Sequence, residues 1–339
     1  MAKSVTIREV AERAGVSKST VSGIMNGRKG WASKQTRNRI LEVIEETGYR
    51  PSTIARSLRN QQTKTIGMLI PPVETGNEVA ICWFADIERT AAGYGYNVLV
   101  SHCCGDAGLN GKRIDDFLDR QVDGLIIAPE DIQNVEKIEE LVAERFPIVT
   151  IDSRLNFQTD NVSIDRAYGA QQSIEHLISI GRRHLAVILS GTLSPTIQDR
   201  ITGYRTACER MRMPFSELKI ISREFDAGHN AGELMCMELL ESGYPVDAIV
   251  ASNDRVALGA MRTLLKAGRR VPEDVALVGF DDVEFAQALP ISLTTVRQPR
   301  KIGRVVCDFL LSRMSNRECE FRSVLLRPEL VIRESTVAK

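Results

Sequence analysis

From Ile66 onward the chain alternates short apolar runs with longer stretches of helical spacing. The runs are IGMLI (66–70), YNVLV (96–100), VDGLIIA (122–128), PIVTI (147–151), NVSI (161–164), HLAVILS (184–190), DAIVA (247–251) and DVALVGF (274–280). Between them the spacing predicts helices that include Val135–Glu144, Ala167–Ile180, Arg200–Met211 and Arg255–Ala267. Strands this continuously apolar are covered on both faces, so the alternation implies parallel sheets sandwiched by helices. About 230 residues of such pattern exceed one comfortable sheet. Two doubly wound α/β lobes with a cleft between them are therefore expected, with ligands held at the carboxyl ends of the strands.

The first 64 residues follow another pattern. Thr6 and Glu9, three apart in TIREVAERAG, form a capping box in which each side chain satisfies an orphan amide of the first turn. A helix from Ile7 to Ala14 follows, ended by Gly15. Ser17 then caps a second helix from Lys18 to Met25. A third runs from its Ser33 cap to Thr47, with Ile40, Leu41, Val43 and Ile44 as apolar positions and Gly48 as the stop. Three short helices can share one small core, giving an all-α head on the α/β body. In YRPSTIARSLRNQQTKT, Pro51 and Ser52 open a short helical turn before a polar run, either a plain linker or a segment that orders on binding. The expected divisions are a head at 1–50, a hinge at 51–65, a first lobe at 66–164 and a second at 165–339, with the chain crossing back between lobes near 290–320.

Charge sharpens this picture. The net charge of the 339 residues is zero, yet residues 1–64 carry a balance of +8 and the remainder −8. A basic head on an acidic body faces phosphate or is merely a solvated basic surface. The seven cysteines are odd in number and show no CxxC spacing, so neither a disulfide framework nor a zinc module is indicated. The triplet His102–Cys103–Cys104 has no second ligand pair at useful spacing, so packed thiols and no bound metal are expected. There is no run of about 18 apolar residues, and MAKSVTIREVAERAG is charged where a secretion signal requires an apolar core. A cytoplasmic protein without a membrane partner is expected.

The second helix shows what the head is for. Val16, Thr20, Val21, Ile24 and Met25 share one face, while Lys18, Ser19, Ser22 and Gly23 make a small polar face on the other side. A helix-turn-helix inserts such a helix into the major groove, where small side chains allow close backbone approach. Lys18 and Ser19 are the expected base contacts. Ser17, Thr20 and Ser22 would position by phosphate bonds, with Arg28, Lys29 and Lys34 neutralising phosphate and Thr6 counted in the same DNA-facing set. A surface helical hairpin with no partner is the plainer alternative.

The stretches VTIREVAERAGVSKSTVSGIMNG and ASKQTRNRILEVIEETGYRPSTIARSLRNQQTKTIGMLI resemble the head and hinge of the lactose/galactose repressor (LacI/GalR) family of bacterial transcription regulators. Similarity continues in the same order through QVDGLIIAP, IEHLISIGRRHLAVI, ASNDRVALGAMRTLLKAGRRVPEDVALVGFDD, LTTVRQP and LLRPELVIRES. The resemblance implies a homodimer on double-stranded operator DNA, with hinge helices paired in the minor groove. Leu58 matches the family leucine that wedges between central base pairs, flanked by Ala55 and Arg56. An apolar wedge of that kind exchanges stacking for a kinked, better-wrapped duplex. Gly23 departs from the pattern, standing where many relatives place a larger base-contacting side chain. NGRKGWASKQT is also one residue longer than usual, leaving Trp31 to pack on the head core or touch the DNA backbone.

The body resembles periplasmic sugar-binding proteins. Asp152, Arg200, Asn253 and Asp281 match family effector positions, each just after an apolar strand or at a helix start, and Asn77 is kept from an Asn-Pro-aromatic-aromatic run whose aromatic pair is lost. Trp83 or Phe84 could substitute for it. An aromatic of the family also maps onto Ala227, with Phe225 nearby. Carboxylates with an arginine make a hydroxyl-binding set, although each singly could be a structural ion pair or cap. The implied function is a ligand-responsive repressor with a carbohydrate-type effector and no cofactor. A pure carbohydrate-binding protein and an enzyme are the rivals. The four histidines are scattered, and neither a nucleophile elbow nor a phosphate loop appears.

Overall fold

The computed structural model describes residues 5–25, 30–49, 62–70, 78–102, 107–128, 135–152, 155, 157–191, 194–223 and 229–337. The chain divides into two compact units, residues 1–63 and 64–339.

In the first unit three helices form where capping chemistry places them: α1 at Ile7–Ala14, α2 at Lys18–Met25 and α3 at Lys34–Thr47. Thr6 and Glu9 close the capping box, and Gly15 and Gly48 take the left-handed conformation (φ 62° and 61°) that ends α1 and α3. Val10, Ala11, Ala14, Val21, Ile24, Ile40 and Val43 fill a shared core, with Val16 and Ile44 packed against it. Leu41, expected among the apolar positions of α3, is instead exposed. The buried Ile40 and Val43 set the inward face, and residue 41 is rotated about 100° from Ile40, away from it. Of the hinge expected at 51–65, residues 51–61 lie outside the described residues, 62–64 carry no regular structure and Thr65 already opens the first strand.

The second unit holds two sheets. β1 (Thr65–Ile70), β2 (Asn97–His102), β3 (Gly124–Ile127), β4 (Ile148–Ile151) and β5 (Asp160–Ile164) belong to the first, with helices α4 (Glu78–Gly93), α5 (Ala107–Asp119) and α6 (Val135–Ala143) between them. The second collects β6 (Leu185–Ser190), β7 (Lys219–Arg223), β8 (Ala248–Ala251), β9 (Ala276–Asp281) and β10 (Thr294–Arg297), with α7 (Arg166–Ser179), α8 (Pro195–Arg210), α9 (His229–Glu241) and α10 (Asp254–Lys266). The chain then returns to the first lobe as α11 (Gly303–Ser315) and β11 (Ser323–Leu326), and leaves it again as β12 (Glu329–Val331). Residues 303–326 thus belong to the first lobe, and the chain passes between lobes after β5, after β10 and after β11.

The strand orders are β11-β5-β4-β3-β1-β2, wholly parallel, and β12-β10-β9-β8-β6-β7, parallel except for the antiparallel edge strand β12. Central strands β3, β4, β6, β8 and β9 are buried throughout, as their unbroken apolar runs require. β7 (KIISR) and β10 (TTVR) were not among the eight predicted runs; both mix polar with apolar residues and so carry a weaker strand signal. Two glycines let helices meet backbone to backbone. A Cβ on Gly203 would lie 2.0 Å from the Ala167 carbonyl oxygen, and one on Gly232 2.1 Å from that of Val256.

Helix α8 begins five residues earlier than its apolar spacing suggests. Ser194 caps it and Pro195 opens its first turn, so Arg200 projects from inside the helix rather than from its start. Trp83 and Phe84 are buried in the core of the first lobe, and the Trp83 Nε1 donates to the Pro299 carbonyl at 2.6 Å. Both serve the packing of the first lobe.

Candidate functional site

On the head, Lys18 and Ser19 are exposed in the first turn of α2, while Thr20 and Ser22 are half-buried. Ser17 Oγ accepts from Thr20 N at 3.2 Å and lies 2.7 Å from Ser19 Oγ and 2.8 Å from Thr20 Oγ1, so three hydroxyls cluster at the amino end of the helix. An amino end with its hydroxyl groups gathered suits a phosphate. Thr6 Oγ1 accepts from Glu9 N at 3.3 Å, and Thr6 N donates to Glu9 Oε2 at 2.7 Å, so Thr6 already serves the cap. Gly23 is buried beneath the Trp31 ring rather than lying bare toward a groove. Trp31 therefore packs on α2 itself. Arg28, Lys29, Ala55 and Leu58 lie outside the described residues.

The body places its polar strand-end residues where parallel sheets leave room, at the carboxyl ends of the strands. Asp281 ends β9 with φ 110°, followed by Asp282 at 53°, and Asp152 follows β4 at 54°. Non-glycine residues in the left-handed half of the map carry local strain of about 1–3 kcal/mol each and gather at functional sites. Gln298 Nε2 donates to Asp281 Oδ1 at 2.6 Å, and both side chains are buried. Gln298 Oε1 has no hydrogen-bond partner among the described residues. Burial pushes the Asp281 carboxyl above its ordinary 3.8, while the Arg200 guanidinium, the Gln298 amide and the Arg166 guanidinium pull it down. Arg200 is buried, stacks 4.0 Å over the Phe280 ring and donates to the Ser252 carbonyl at the end of β8.

The other expected residues have structural partners. Asp152 accepts from Ile164 N at 2.9 Å through Oδ1 and from Arg166 Nη2 at 2.7 Å through Oδ2, tying β4 to the first crossing between lobes. Asn253 Oδ1 caps α10 by accepting from Val256 N at 2.8 Å. Asp282 differs sharply from its neighbour: it accepts from Arg297 Nε at 2.6 Å and Arg333 Nη2 at 2.5 Å, and so joins β9 to the end of β10 and to the segment after β12. Asn77, Ala227 and Phe225 lie outside the described residues.

Three residues the sequence reading missed complete the cluster: Gln298, Arg166 and Phe280. Gln298 directly follows β10 as Asp281 terminates β9, so the rule of polar residues after apolar strands could have found it. A cavity of about 760 Å³ lies at the opposite, amino ends of β6 and β7, lined by Ile178, Met211, Met213, Leu218 and Tyr244 among others. None of the strand-end polar residues reaches it.

Comparison with known proteins agrees with a helix-turn-helix head on an α/β body. Residues 6–52 match bacterial regulatory proteins of the lacI family, and residues 174–336 a periplasmic binding protein-like domain. The chain is 30% identical to the ribose operon repressor of Haemophilus influenzae over 97% of this chain and 98% of that protein. It is 31% identical to catabolite control protein A of Priestia megaterium over 98% and 99% of the two chains. Among solved structures, the lac repressor dimer bound to operator and the anti-inducer ONPF matches with a TM-score of 0.87 and 28% identity, covering 99% of this chain and 100% of that one. Head and body together define a class, the DNA-binding transcription regulators that carry a ligand-binding α/β body. This chain belongs to the lacI family of bacterial regulatory proteins. It is a transcription repressor of that family and not an enzyme. No helix among the described residues is long and apolar enough to cross a membrane.

Proposed function

We propose that this chain acts in the cytoplasm as a homodimer whose affinity for a palindromic operator is set by a polyhydroxylated small molecule, a sugar or sugar derivative, bound between the lobes. The observation that carries the reading is the buried Asp281 carboxylate beside Gln298 and within reach of the Arg200 and Arg166 charges, at the carboxyl ends of the second sheet. A carboxylate accepts two hydroxyl bonds, a guanidinium donates several in a fixed fork, and the open Gln298 carbonyl accepts another. Asp281, Arg200, Asn253 and Asn77 are the ligand contacts of this reading, and Asp152 acts by holding Arg166.

In the head, Lys18 and Ser19 meet base edges, while Ser17, Thr20, Ser22, Arg28 and Lys29 meet phosphate. Ala55 and Leu58 enter the minor groove at the operator centre. Ligand that prefers one arrangement of the lobes changes the spacing of the two heads, and linkage makes the effect reciprocal. The test is to select bound sequences from random duplex DNA with the full chain, then measure affinity for the enriched site with a panel of sugars, sugar acids and sugar phosphates. An enriched palindrome whose affinity one ligand changes by about 5–150-fold is expected. Binding that is only salt-sensitive and unselective, or indifferent to every ligand, would contradict it.

A further inference from the structure

Gly23 and Trp31 are matched in shape. A Cβ built on Gly23 would lie 2.4 Å from Trp31 Cε3, 2.6 Å from Cδ2 and 3.0 Å from Cγ, so the indole occupies the space of any side chain at residue 23. With about 100° between successive residues of a helix, Gly23 stands one turn beyond Ser19, about 160° around α2 from Val21 and about 100° from Ile24. Those two enter the head core. The indole therefore covers the outward face of the second turn of α2, next to the exposed first turn that carries Lys18 and Ser19. Gly23 is buried beneath it, yet Trp31 itself stays 44% exposed. Glycine within a helix costs about 1 kcal/mol relative to alanine. Here even alanine would strike the ring, so α2 gives up helix stability to seat an indole on its outward face.

We propose that Trp31 is a specificity-determining residue of the head: its ring replaces the side chain that residue 23 lacks and reads a thymine methyl group in the major groove. The inference rests on the reading of α2 as the major-groove helix. An aromatic surface offers apolar contact, and among the four base pairs the thymine C5-methyl is the apolar feature of the major groove. The ring sits over the second turn, so the base it reads lies beside those met by Lys18 and Ser19, within the same half-site. If the ring only shielded the helix, its removal would weaken binding to all sequences alike.

The experiment compares sequences selected from random duplex DNA by the full-length protein and by Trp31→Ala and Trp31→Phe. It then titrates the preferred operator with each half-site thymine replaced in turn by uracil, which lacks only the methyl group. The expected result is one thymine per half-site whose replacement weakens binding of the unaltered protein about fourfold, the effect of one buried methyl-sized group. Trp31→Ala should lose that preference while keeping the others, and Trp31→Phe should keep part of it. A palindrome with no uracil-sensitive thymine, or one whose sensitivity survives in Trp31→Ala, overturns the inference and leaves the major-groove reading standing. Failure to select any palindrome would instead sink the major-groove reading itself. Should Trp31→Ala not fold, Trp31→Phe decides: a uracil effect reduced in that variant supports the inference, and one left undiminished overturns it.

Discussion

Glu78 of the first lobe and Arg255 of the second form an ion pair between the lobes, the Glu78 carboxylate accepting from Arg255 Nε and Nη2. Glu78 opens α4 and Arg255 lies in the first turn of α10, so the pair joins two helix starts that belong to different sheets. Arg255 also lies 5.9 Å over the Phe285 ring. Lobes joined by three chain crossings can change their mutual arrangement without breaking either sheet. A side-chain contact between them then biases which arrangement the free protein holds.

Glu78→Gln should therefore loosen the arrangement described here. Both side chains are about one third exposed, 29% and 32%, so the pair is worth no more than about 1 kcal/mol after screening. Ligand affinity should fall by about twofold to fivefold, with little change in melting temperature. Calorimetric titration at low and high salt is the check: salt should weaken binding to the unaltered protein more than to the variant. Equal salt dependence would mean that the pair does not bias the lobes.

The adjacent aspartates 281 and 282 should separate into two phenotypes. Asp281→Asn removes a buried charged acceptor from the ligand cluster. Loss of a charge-assisted hydrogen bond of about 1.5–3 kcal/mol weakens ligand binding roughly 10-fold to 100-fold. Operator affinity without ligand should stay within about twofold, because the change lies in the ligand cluster alone. Asp282→Asn instead breaks the bonds from Arg297 and Arg333. It should lower thermal stability, since it leaves a buried network half satisfied. Titration calorimetry and thermal unfolding on both variants distinguish the roles, and equal loss of ligand affinity in the two would refute them.

Much of this was legible in the chain, and what was not has physical reasons. The capping signals Thr6–Glu9, Gly15, Ser33 and Gly48 fix the head helices because each satisfies a local backbone need. The unbroken apolar runs mark central strands for the same kind of reason, since burial on both faces leaves no polar position. Sequence periodicity says nothing about which strand returns to which sheet; a crossing back between lobes was expected near 290–320, and the fold shows that α11 and β11 are the elements that rejoin the first lobe. Asp152 and Asp281 looked alike, each following an apolar run. The fold separates them: Asp152 has Arg166 and Ile164 N as partners, whereas Asp281 faces an amide with an open carbonyl. Gly23 looked like a loss until Trp31, eight residues away, was found filling its place.

Stability should respond to pH through Asp254. This carboxylate is 1% exposed, accepting from Thr295 Oγ1 at 2.5 Å and Val283 N at 2.8 Å. Burial, reinforced by the nearby Asp281 charge, raises its pKa well above 3.8, against the pull of those two hydrogen bonds. With the folded value above the unfolded one, the native state binds more protons between the two, so this group's contribution to stability falls as pH rises through that window. Above the folded value the charged form is a cost, relieved as pH falls back toward the ordinary 3.8. Asp254→Asn carries no titration there. The melting temperature of the unaltered protein relative to the variant should thus improve as pH falls from 7 toward about 4. A melting temperature relative to the variant that stays flat, or falls on acidification, would show that Asp254 is not the titrating group.

Arg313 is the position where a single truncation should do the most damage. It is 1% exposed and Asp160 is wholly buried, with Arg313 Nε donating to Asp160 Oδ2 at 3.0 Å. Arg313 Nη1 reaches the Arg317 carbonyl at 3.1 Å and Nη2 the Glu320 carbonyl at 3.0 Å, while Asp160 Oδ1 accepts from Arg322 N at 2.9 Å. One guanidinium thus shapes the turn between α11 and β11 and pins it to the start of β5. Arg313→Ala would leave the buried Asp160 charge only the Arg322 guanidinium, Nε at 3.5 Å, as a counter-charge, at a cost of up to about 3–5 kcal/mol, whereas replacing both partners by apolar residues of similar volume costs far less. Denaturant unfolding of Arg313→Ala, Asp160→Ala and an Arg313→Met, Asp160→Leu double variant tests this. The double variant should recover most of the loss seen in either single one. If the losses simply add, the damage comes from the missing turn contacts to Arg317 and Glu320 rather than from a buried charge that has lost its main partner.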